Sequence, residues 1–235
     1  MNIYGDRGNI LCLKRRCEER GIEFYVDELE LGDKLNPKEC DLIFVGGAQD
    51  RQQRKVADDL LKLKAKPLAD AADRGAVVLA VCGGYQLIGL YYRTAEGEEL
   101  PGAGLLDIAT IHPGPQAQRC IGNVVIEWRG ATIVGFENHG GRTYLGQGLT
   151  PLGQVVAGYG NNGEDGGEGA VSGNVFGTYL HGSLLPKNPR LADHLIETAL
   201  RRTTKDFELA PIDDHVEEMA HAAAVRIATA DGIRP

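Results

Sequence analysis

Basic residues are fewer than acidic residues in this 235-residue sequence. It has 25 Lys and Arg against 33 Asp and Glu, which gives a formal net charge of −8. The Lys and Arg residues are scattered, so the chain lacks the basic patch that neutralises nucleic-acid phosphates. No apolar run approaches about 18 residues, the length of a membrane-spanning helix, and the first residues lack the apolar stretch of a signal peptide. We therefore expect no nucleic-acid partner, no membrane span and a cytoplasmic location.

Paired cysteine motifs are also missing. The five cysteines are Cys12, Cys17, Cys40, Cys82 and Cys120. Their number is odd, no two form a C-x-x-C pair, and none has a zinc-ligand spacing with a histidine. We expect reduced thiols and no metal in this chain.

Strand and helix patterns alternate along the first hundred residues. In chain order they predict a helix over residues 10–20 capped by Asn9, a strand over 22–26, a strand over 42–45, a helix around 56–63, a strand over 76–81 and a helix over 85–92. The runs 42–45 and 76–81 are continuously apolar, as in strands buried on both faces. The prediction is an α/β fold with a mostly parallel sheet and helices on both faces.

The second half of the sequence is richer in β patterns. Residues 123–128 and 131–136 are joined at Arg129-Gly130 and predict an antiparallel hairpin added to the sheet. Residues 158–169 are rich in glycine and acidic groups and predict a loop. A last strand over 175–180 precedes helices over 189–201 and 213–229. We expect one main domain over 1–201, with 202–235 as a C-terminal helical extension packed on it.

Cys82 stands where a nucleophile is expected. It follows the apolar strand 76–81 directly and precedes Gly83-Gly84 and a helix, which is the order of a nucleophile elbow. The glycines permit a sharp turn, and a helix N-terminus favours thiolate over thiol. The other four cysteines are interpreted as small hydrophobic residues. Ala80 departs from the glycine that many elbows carry two residues before the nucleophile.

A thiolate nucleophile needs an acid–base partner. His181 follows the predicted strand 175–180, where the sites of parallel sheets collect, and His139 also follows a strand. Spacing favours His181 over His139 only modestly. Gly47, after the strand 42–45, can offer a backbone N–H to a developing oxyanion, with the N–H of Gly83 as second donor. A plain turn explains Gly46-Gly47 equally well.

Several segments together resemble the class I glutamine amidotransferases, and within them the cobyric-acid-synthase-like branch. They are residues 2–9 (NIYGDRGN), 45–50 (VGGAQD), 82–86 (CGGYQ), 135–143 (GFENHGGRT) and 177–182 (GTYLHG). The resemblance runs in consistent order over nearly the whole chain, and it is strongest to the glutaminase subunits of two-subunit enzymes that amidate lipid II. It implies the flavodoxin-like fold of class I amidotransferases.

The resemblance implies that Cys82 attacks the carboxamide of L-glutamine and forms a γ-glutamyl thioester. The N–H groups of Gly47 and Gly83 would hold the oxyanion. His181 would protonate the departing ammonia and activate the water that releases glutamate. Arg119 matches an arginine linked to glutamine binding, by pairing with the α-carboxylate.

Three of these substrate-side residues keep a simpler interpretation. Arg119 can be a solvated surface arginine. Gln86 and Asn138 are further substrate-contact candidates, and each can equally stabilise a turn.

Two features depart from the family pattern. Many class I amidotransferases have glutamate two residues after the histidine, where this chain has Ser183. A histidine without a carboxylate lacks a group that fixes its tautomer and stabilises its charged form. We therefore expect slow glutamine hydrolysis by this chain alone. Relatives also have an apolar strand before the segment 2–9, and we expect one strand to be missing here.

The resemblance also implies the partner. It is a MurT-like Mur-ligase subunit that forms a heterodimer with this chain, supplies the third catalytic Asp, and uses ATP and magnesium to activate the D-glutamate α-carboxylate of lipid II. This sequence has no G-x-x-x-x-G-K-[ST] pattern, so ATP is expected on the partner and no cofactor in this chain. Lipid II lies at the membrane, so the complex would be peripheral at most.

Other functions stay open from the sequence. A glutaminase for cobyric or cobyrinic acid amidation would share the Cys82 and His181 motifs. A stand-alone cysteine hydrolase of similar fold would act without a ligase. A regulatory scaffold would leave the Cys82 thiol unused.

Overall fold

The computed structural model describes residues 6–47 and 50–230, without the side chains of residues 50–53. The helices are α1 Arg7–Glu18, α2 Asp50–Asp59, α3 Ala65–Asp73, α4 Gly83–Leu87, α5 Pro189–Leu200 and α6 His215–Ala230, with a π-helical turn at Leu60–Lys64 and a 3₁₀ turn at Leu185–Lys187. The strands are β1 Leu42–Val45, β2 Val77–Val81, β3 Tyr91–Arg93, β4 Glu99–Pro101, β5 Ile108–Ile111, β6 Cys120–Trp128, β7 Ala131–His139, β8 Arg142–Leu145, β9 Gly153–Ala157, β10 Gly167–Glu168, β11 Ala170–Ser172 and β12 Val175–Thr178.

The central sheet has the strand order β1-β2-β12-β11. β1, β2 and β12 are parallel, and β11 adds an antiparallel edge. Every residue of β2 is buried, because α5 packs near one face while Tyr85 and Ile88 pack on the other. The predicted α/β fold with its mainly parallel sheet is therefore confirmed.

The predicted hairpin is present but belongs to a sheet of its own. β6 and β7 pair in register from Cys120↔His139 to Trp128↔Ala131, and the two-residue turn has positive φ at both Arg129 and Gly130. A turn of that kind matches the twist of a hairpin. The hairpin lies in the sheet β10-β9-β6-β7, and a third sheet has the order β4-β3-β5-β8. The prediction that the hairpin extends the parallel sheet was wrong, because β6 pairs along its other edge with β9.

Three other local predictions were wrong in part. Residues 22–26 form no strand: Ile22 and Phe24 pack against the core as predicted, but no described strand lies beside them to pair with their backbone. Asn9 lies inside α1, where its Oδ1 accepts a hydrogen bond from the Leu185 N–H at 2.8 Å, and Asp6 holds the N-cap position. The helix after Cys82 ends at Leu87 instead of residue 92.

A buried arginine ties the C-terminal part of the chain to α1. The Arg16 guanidinium binds both carboxylate oxygens of Asp193 on α5 at 2.7 Å, and it also binds Asp214, just before α6. α6 packs Ala228 against Val125 and Val134 of the β6–β7 hairpin. Within the described ranges, no helix is both long and apolar enough to cross a bilayer.

Candidate active site

Cys82 occupies a strained turn between β2 and α4. Its backbone has φ 54° and ψ −111°, a conformation that L residues rarely adopt. Its N–H donates to the Thr178 carbonyl at 2.8 Å, so the turn is fixed to β12. A Cβ on Gly84 would lie 2.3 Å from the Val45 carbonyl oxygen, which explains the need for glycine there. Backbone strain of this kind, held by the surrounding structure, is typical of functional positions.

The helix that follows is too short for the electrostatic effect predicted from the sequence. α4 has five residues, so its dipole is smaller than that of the helix predicted over residues 85–92. The strained turn, and not a long helix dipole, is therefore what distinguishes Cys82 from the other cysteines. Burial raises the pKa of Cys12, Cys17 and Cys120 to about 11, which agrees with their interpretation as packing residues.

His181 lies three residues beyond Thr178, the residue of β12 that pairs with Val81 just before Cys82. Its backbone exchanges two hydrogen bonds with Phe136 of β7, at 2.9 and 3.1 Å, and its ring packs edge-on against the Phe136 ring. The residue is 1% exposed. Burial, and secondarily the nearby His139, lowers the pKa of His181 from 6.5 to about 4. The imidazole is therefore neutral at physiological pH.

His139 has a structural environment. Its Nδ1 lies 2.7 Å from the Gly141 carbonyl oxygen and its Nε2 lies 3.4 Å from Glu137 Oε2. Its ring stacks on Tyr179 with centroids 3.6 Å apart. Both ring nitrogens of His139 therefore have protein partners, and the modest preference for His181 stays a prediction.

The substrate-side candidates flank one turn, at Gly140-Gly141. Arg119 donates from Nε to the Asn138 side-chain oxygen at 3.0 Å and from Nη2 to the Asn138 carbonyl at 3.1 Å, so these two residues act as a unit. A Cβ on Gly140 would lie 3.2 Å from Arg119 Nη1, and one on Gly141 would lie 2.9 Å from Gln86 Nε2.

Gln86 is the innermost of these candidates. It is buried and donates from Nε2 to the Tyr179 hydroxyl at 3.2 Å. That hydroxyl lies 2.6 Å from Thr143 Oγ1, which in turn lies 2.7 Å from Thr110 Oγ1. The chain of hydroxyl groups fixes the Gln86 amide behind the turn.

Gly47, the expected oxyanion donor, directs its N–H at a carboxylate. The N–H donates to Asp6 Oδ2 at 2.7 Å, and both residues are buried. Gly83, the second expected donor, is buried at the start of α4. The motif residues Ala48 and Gln49, like residues 1–5, lie outside the described residues.

Three buried carboxylates near the site were missed by sequence reasoning. Asp6 contacts Gly47, Glu137 accepts the N–H groups of Tyr159 and Gly160, and Glu168 accepts the Tyr179 N–H at 2.6 Å. Burial, with a contribution from Glu137, raises the pKa of Glu168 to about 8 against the opposing hydrogen bonds. Glu168 lies in a segment whose acidic, glycine-rich composition predicted only a loop. The composition of a segment does not show whether residues distant in the sequence will bury one of its side chains.

The fold, with its strained turn after a buried strand, is that of the glutamine amidotransferases, and comparison with known proteins gives the family. Residues 1–189 match the CobB/CobQ-like glutamine amidotransferase domain, and the chain belongs to this family. A solved glutamine amidotransferase matches the fold with a TM-score of 0.57 at 16% identity, over 80% of this chain and 93% of that one.

Two curated relatives are more similar in sequence, and both are named subunit GatD of lipid II isoglutaminyl synthase (glutamine-hydrolyzing). The *Staphylococcus aureus* protein is 44% identical over 94% of this chain and 88% of its own length. The *Streptococcus pneumoniae* protein is 43% identical over 91% of this chain and 82% of its own length.

Proposed function

We propose that this chain is a glutaminase subunit that hydrolyses L-glutamine to glutamate and ammonia and delivers the ammonia to a MurT-like ligase, which amidates the D-glutamate of lipid II in peptidoglycan synthesis. The observation that carries the proposal is the strained Cys82 turn, fixed to the strand that leads to His181. The similarity to two GatD subunits over nearly the whole chain supports the choice of acceptor.

The reaction follows from the groups at the end of the parallel sheet. The Cys82 thiolate forms a C–S bond to the glutamine carboxamide carbon, and the tetrahedral oxyanion accepts hydrogen bonds from the N–H groups of Gly47 and Gly83. The C–N bond then breaks, and His181 gives the nitrogen its proton so that ammonia leaves. Neutral His181 next takes a proton from water, whose oxygen attacks the thioester and releases glutamate and the thiolate.

Arg119 is the proposed anchor for the substrate α-carboxylate. Its guanidinium is held at two points by Asn138, so the donor group is oriented before the substrate arrives. Asn138 then acts mainly by positioning Arg119. Gln86 remains a proposed substrate contact, and its buried amide is held by the Tyr179 hydroxyl.

The partner completes the catalytic machinery in this proposal. A histidine whose pKa is about 4 gives up a proton readily but is poorly charged at neutral pH, so the protonated state needed for ammonia departure is rare. Ser183 occupies the position at which many related enzymes have glutamate. An Asp supplied by the ligase subunit would stabilise the imidazolium and couple ammonia release to assembly of the heterodimer.

A groove beside Ser183 is the proposed docking point of the ligase. It has a volume of about 210 Å³ and is lined by the apolar residues Leu11, Cys12, Pro186 and Ile212 and by the charged residues Arg15, Arg16, Glu19 and Glu217. Gly8 also lines the groove, and a Cβ on Gly8 would lie 2.6 Å from Ser183 Oγ. A partner segment seated there is adjacent to the residue that stands in place of the family's glutamate.

ATP and magnesium belong to the ligase in this scheme, and this chain needs no cofactor of its own for the glutaminase reaction. Because the acceptor is a membrane lipid, we propose that the complex is cytoplasmic and works peripherally at the inner face of the membrane.

The test measures glutamate release from glutamine by the purified chain with and without the neighbouring Mur-ligase-like protein, for wild type and Cys82→Ala. Release that is stimulated by the ligase and abolished in Cys82→Ala is expected. Absence of release from every combination would contradict the proposal.

A matched pair of leucines tests the docking groove. Leu11 is 56% exposed in the groove and Leu31 is 59% exposed outside it. We expect Leu11→Lys to weaken the apparent affinity for the ligase about tenfold, as for loss of one buried apolar contact, and Leu31→Lys to leave it unchanged. Equal effects of the two variants would refute this docking site.

A further inference from the structure

Asp6 is a buried carboxylate placed beside the nucleophile. It is 1% exposed at the N-cap position of α1, and its Oδ2 lies 2.7 Å from the Gly47 nitrogen. A Cβ on Gly47 would lie 3.6 Å from that oxygen and 3.7 Å from the Cys82 Cβ. The Asp6 carboxylate and the Cys82 side chain therefore border the same small space.

The Gly47 N–H is one of the two donors expected to hold the oxyanion. A carboxylate forms a stronger hydrogen bond to an N–H group than a neutral carboxamide does, so Asp6 competes with the substrate carbonyl for this donor. We propose that Asp6 closes the oxyanion hole of the isolated chain and that its side chain must leave Gly47 before glutamine can react. This inference rests on the proposed glutaminase function.

Helix capping does not account for the orientation of Asp6. An aspartate at an N-cap normally accepts an N–H from the first helical turn. In α1 the Asp6 side chain makes no such capping bond, and it points to Gly47 instead. A carboxylate that borders a thiol disfavours the thiolate form of that thiol, so we expect the release of Asp6 also to raise the reactivity of Cys82.

The position of Asp6 connects it to the proposed docking groove. Gly8, two residues further along, lines the groove and contacts Ser183. α1 itself is fixed, because Asn9 binds the Leu185 N–H and Arg16 binds two aspartates. A ligase segment in the groove therefore releases Asp6 by turning its side chain away from Gly47, without moving the helix as a whole.

The first measurement is partner-independent glutamate release by wild type, Asp6→Asn and Asp6→Ala. Loss of one oxyanion-hole donor costs about 10²–10³ in kcat, so freeing the donor is expected to raise the rate of Asp6→Ala about ten- to a hundredfold. Asp6→Asn keeps an acceptor without the charge and is expected to lie between the two. With the ligase present, all three rates should agree within about threefold, because the partner has already opened the hole in wild type.

The second measurement needs no glutamine. Iodoacetamide labelling of Cys82 in the isolated chain, read by peptide mass spectrometry with Cys40 as internal reference, should be several-fold faster in Asp6→Ala. Thermal unfolding shows whether Asp6→Ala folds. If it does not fold, the two measurements on Asp6→Asn decide whether Asp6 blocks the Gly47 N–H. If both readouts are unchanged, or if release falls with and without the ligase, Asp6 only supports the Gly46-Gly47 turn and the proposal is overturned. Wild type that stays inactive with its ligase would contradict the glutaminase function instead, and the labelling would still decide the role of Asp6.

Discussion

Burial of His181 makes the stability of the protein depend on pH in a way that one substitution removes. Burial and the neighbouring His139 lower the pKa of His181 from 6.5 to about 4. Between these pH values the folded protein keeps the ring neutral while the unfolded chain takes up a proton. The wild-type free energy of unfolding therefore includes a contribution that is complete above pH 6.5 and is lost as the pH falls towards 4. His181→Gln removes the titrating group.

The magnitude follows from the size of the pKa change. A difference of 2.5 pH units, from 6.5 to about 4, corresponds to at most about 3.4 kcal/mol at about 1.36 kcal/mol per unit. Between pH 7 and pH 5 the expected loss is about 2 kcal/mol. Glu168, whose raised pKa acts in the opposite direction, is present in both proteins and cancels in the comparison.

Urea unfolding of wild type and His181→Gln at pH 7 and pH 5 measures this difference. Wild type should lose about 2 kcal/mol more than the variant over that interval. Parallel pH dependences would refute the view that His181 is held neutral. An NMR titration of the His181 ring should place its midpoint near 4 in the isolated chain, and binding of the ligase should raise that midpoint if a carboxylate arrives beside it.

Three further outcomes are expected. Arg16→Met should lower the free energy of unfolding by about 3–5 kcal/mol, because Asp214 loses the guanidinium that binds it and Asp193 keeps only Arg20; differential scanning calorimetry checks this, and an unchanged Tm would contradict it. Gly84→Ala should abolish glutamate release and lower the Tm, because the added Cβ meets the Val45 carbonyl at 2.3 Å; a fully active variant would show that the turn at Cys82 is not rigid. Glu168→Gln should remove the part of wild-type stability that is present at low pH and is lost as the pH rises from 4.5 to about 8. Urea unfolding at pH 5 and pH 8 measures that loss, which should be smaller in the variant than in wild type.

The interpretation of this protein as a regulated subunit brings two observations together. His181 lies in an environment that disfavours its charged form, and the Gly47 N–H is engaged by Asp6. In the proposed scheme, docking of the ligase beside Ser183 stabilises the charged form of His181 and frees the Gly47 N–H. Each of these two features alone slows glutamine hydrolysis in the isolated chain, so ammonia is released mainly when the ligase is bound.

The local chemistry of the site could be predicted from the sequence. An apolar run that ends in Cys82-Gly83-Gly84 predicts a buried strand followed by a sharp turn, since burial pattern and glycine content are properties of adjacent residues. The parallel strands 42–45 and 77–81 were found for the same reason. The sequence favoured His181 over His139 only modestly, because both histidines follow predicted strands.

The tertiary structure decided what depends on distant residues. Residues 22–26 have strand periodicity and yet form no strand, because a strand needs a neighbour for its backbone groups, and no described strand lies beside them. The hairpin at Arg129-Gly130 joined a separate sheet because β9 was available as a partner.

The contacts that govern reactivity are also long-range. Asp6 contacts Gly47 across 41 residues of sequence, and Glu168 is buried although it lies in a segment that was predicted as a loop. The sequence by itself predicted Cys82 as the nucleophile and determined the class of fold, because both depend on short runs of residues. The tertiary structure decided the charge state of His181 and the partner of the Gly47 N–H, because burial and electrostatics arise only when separate segments pack together.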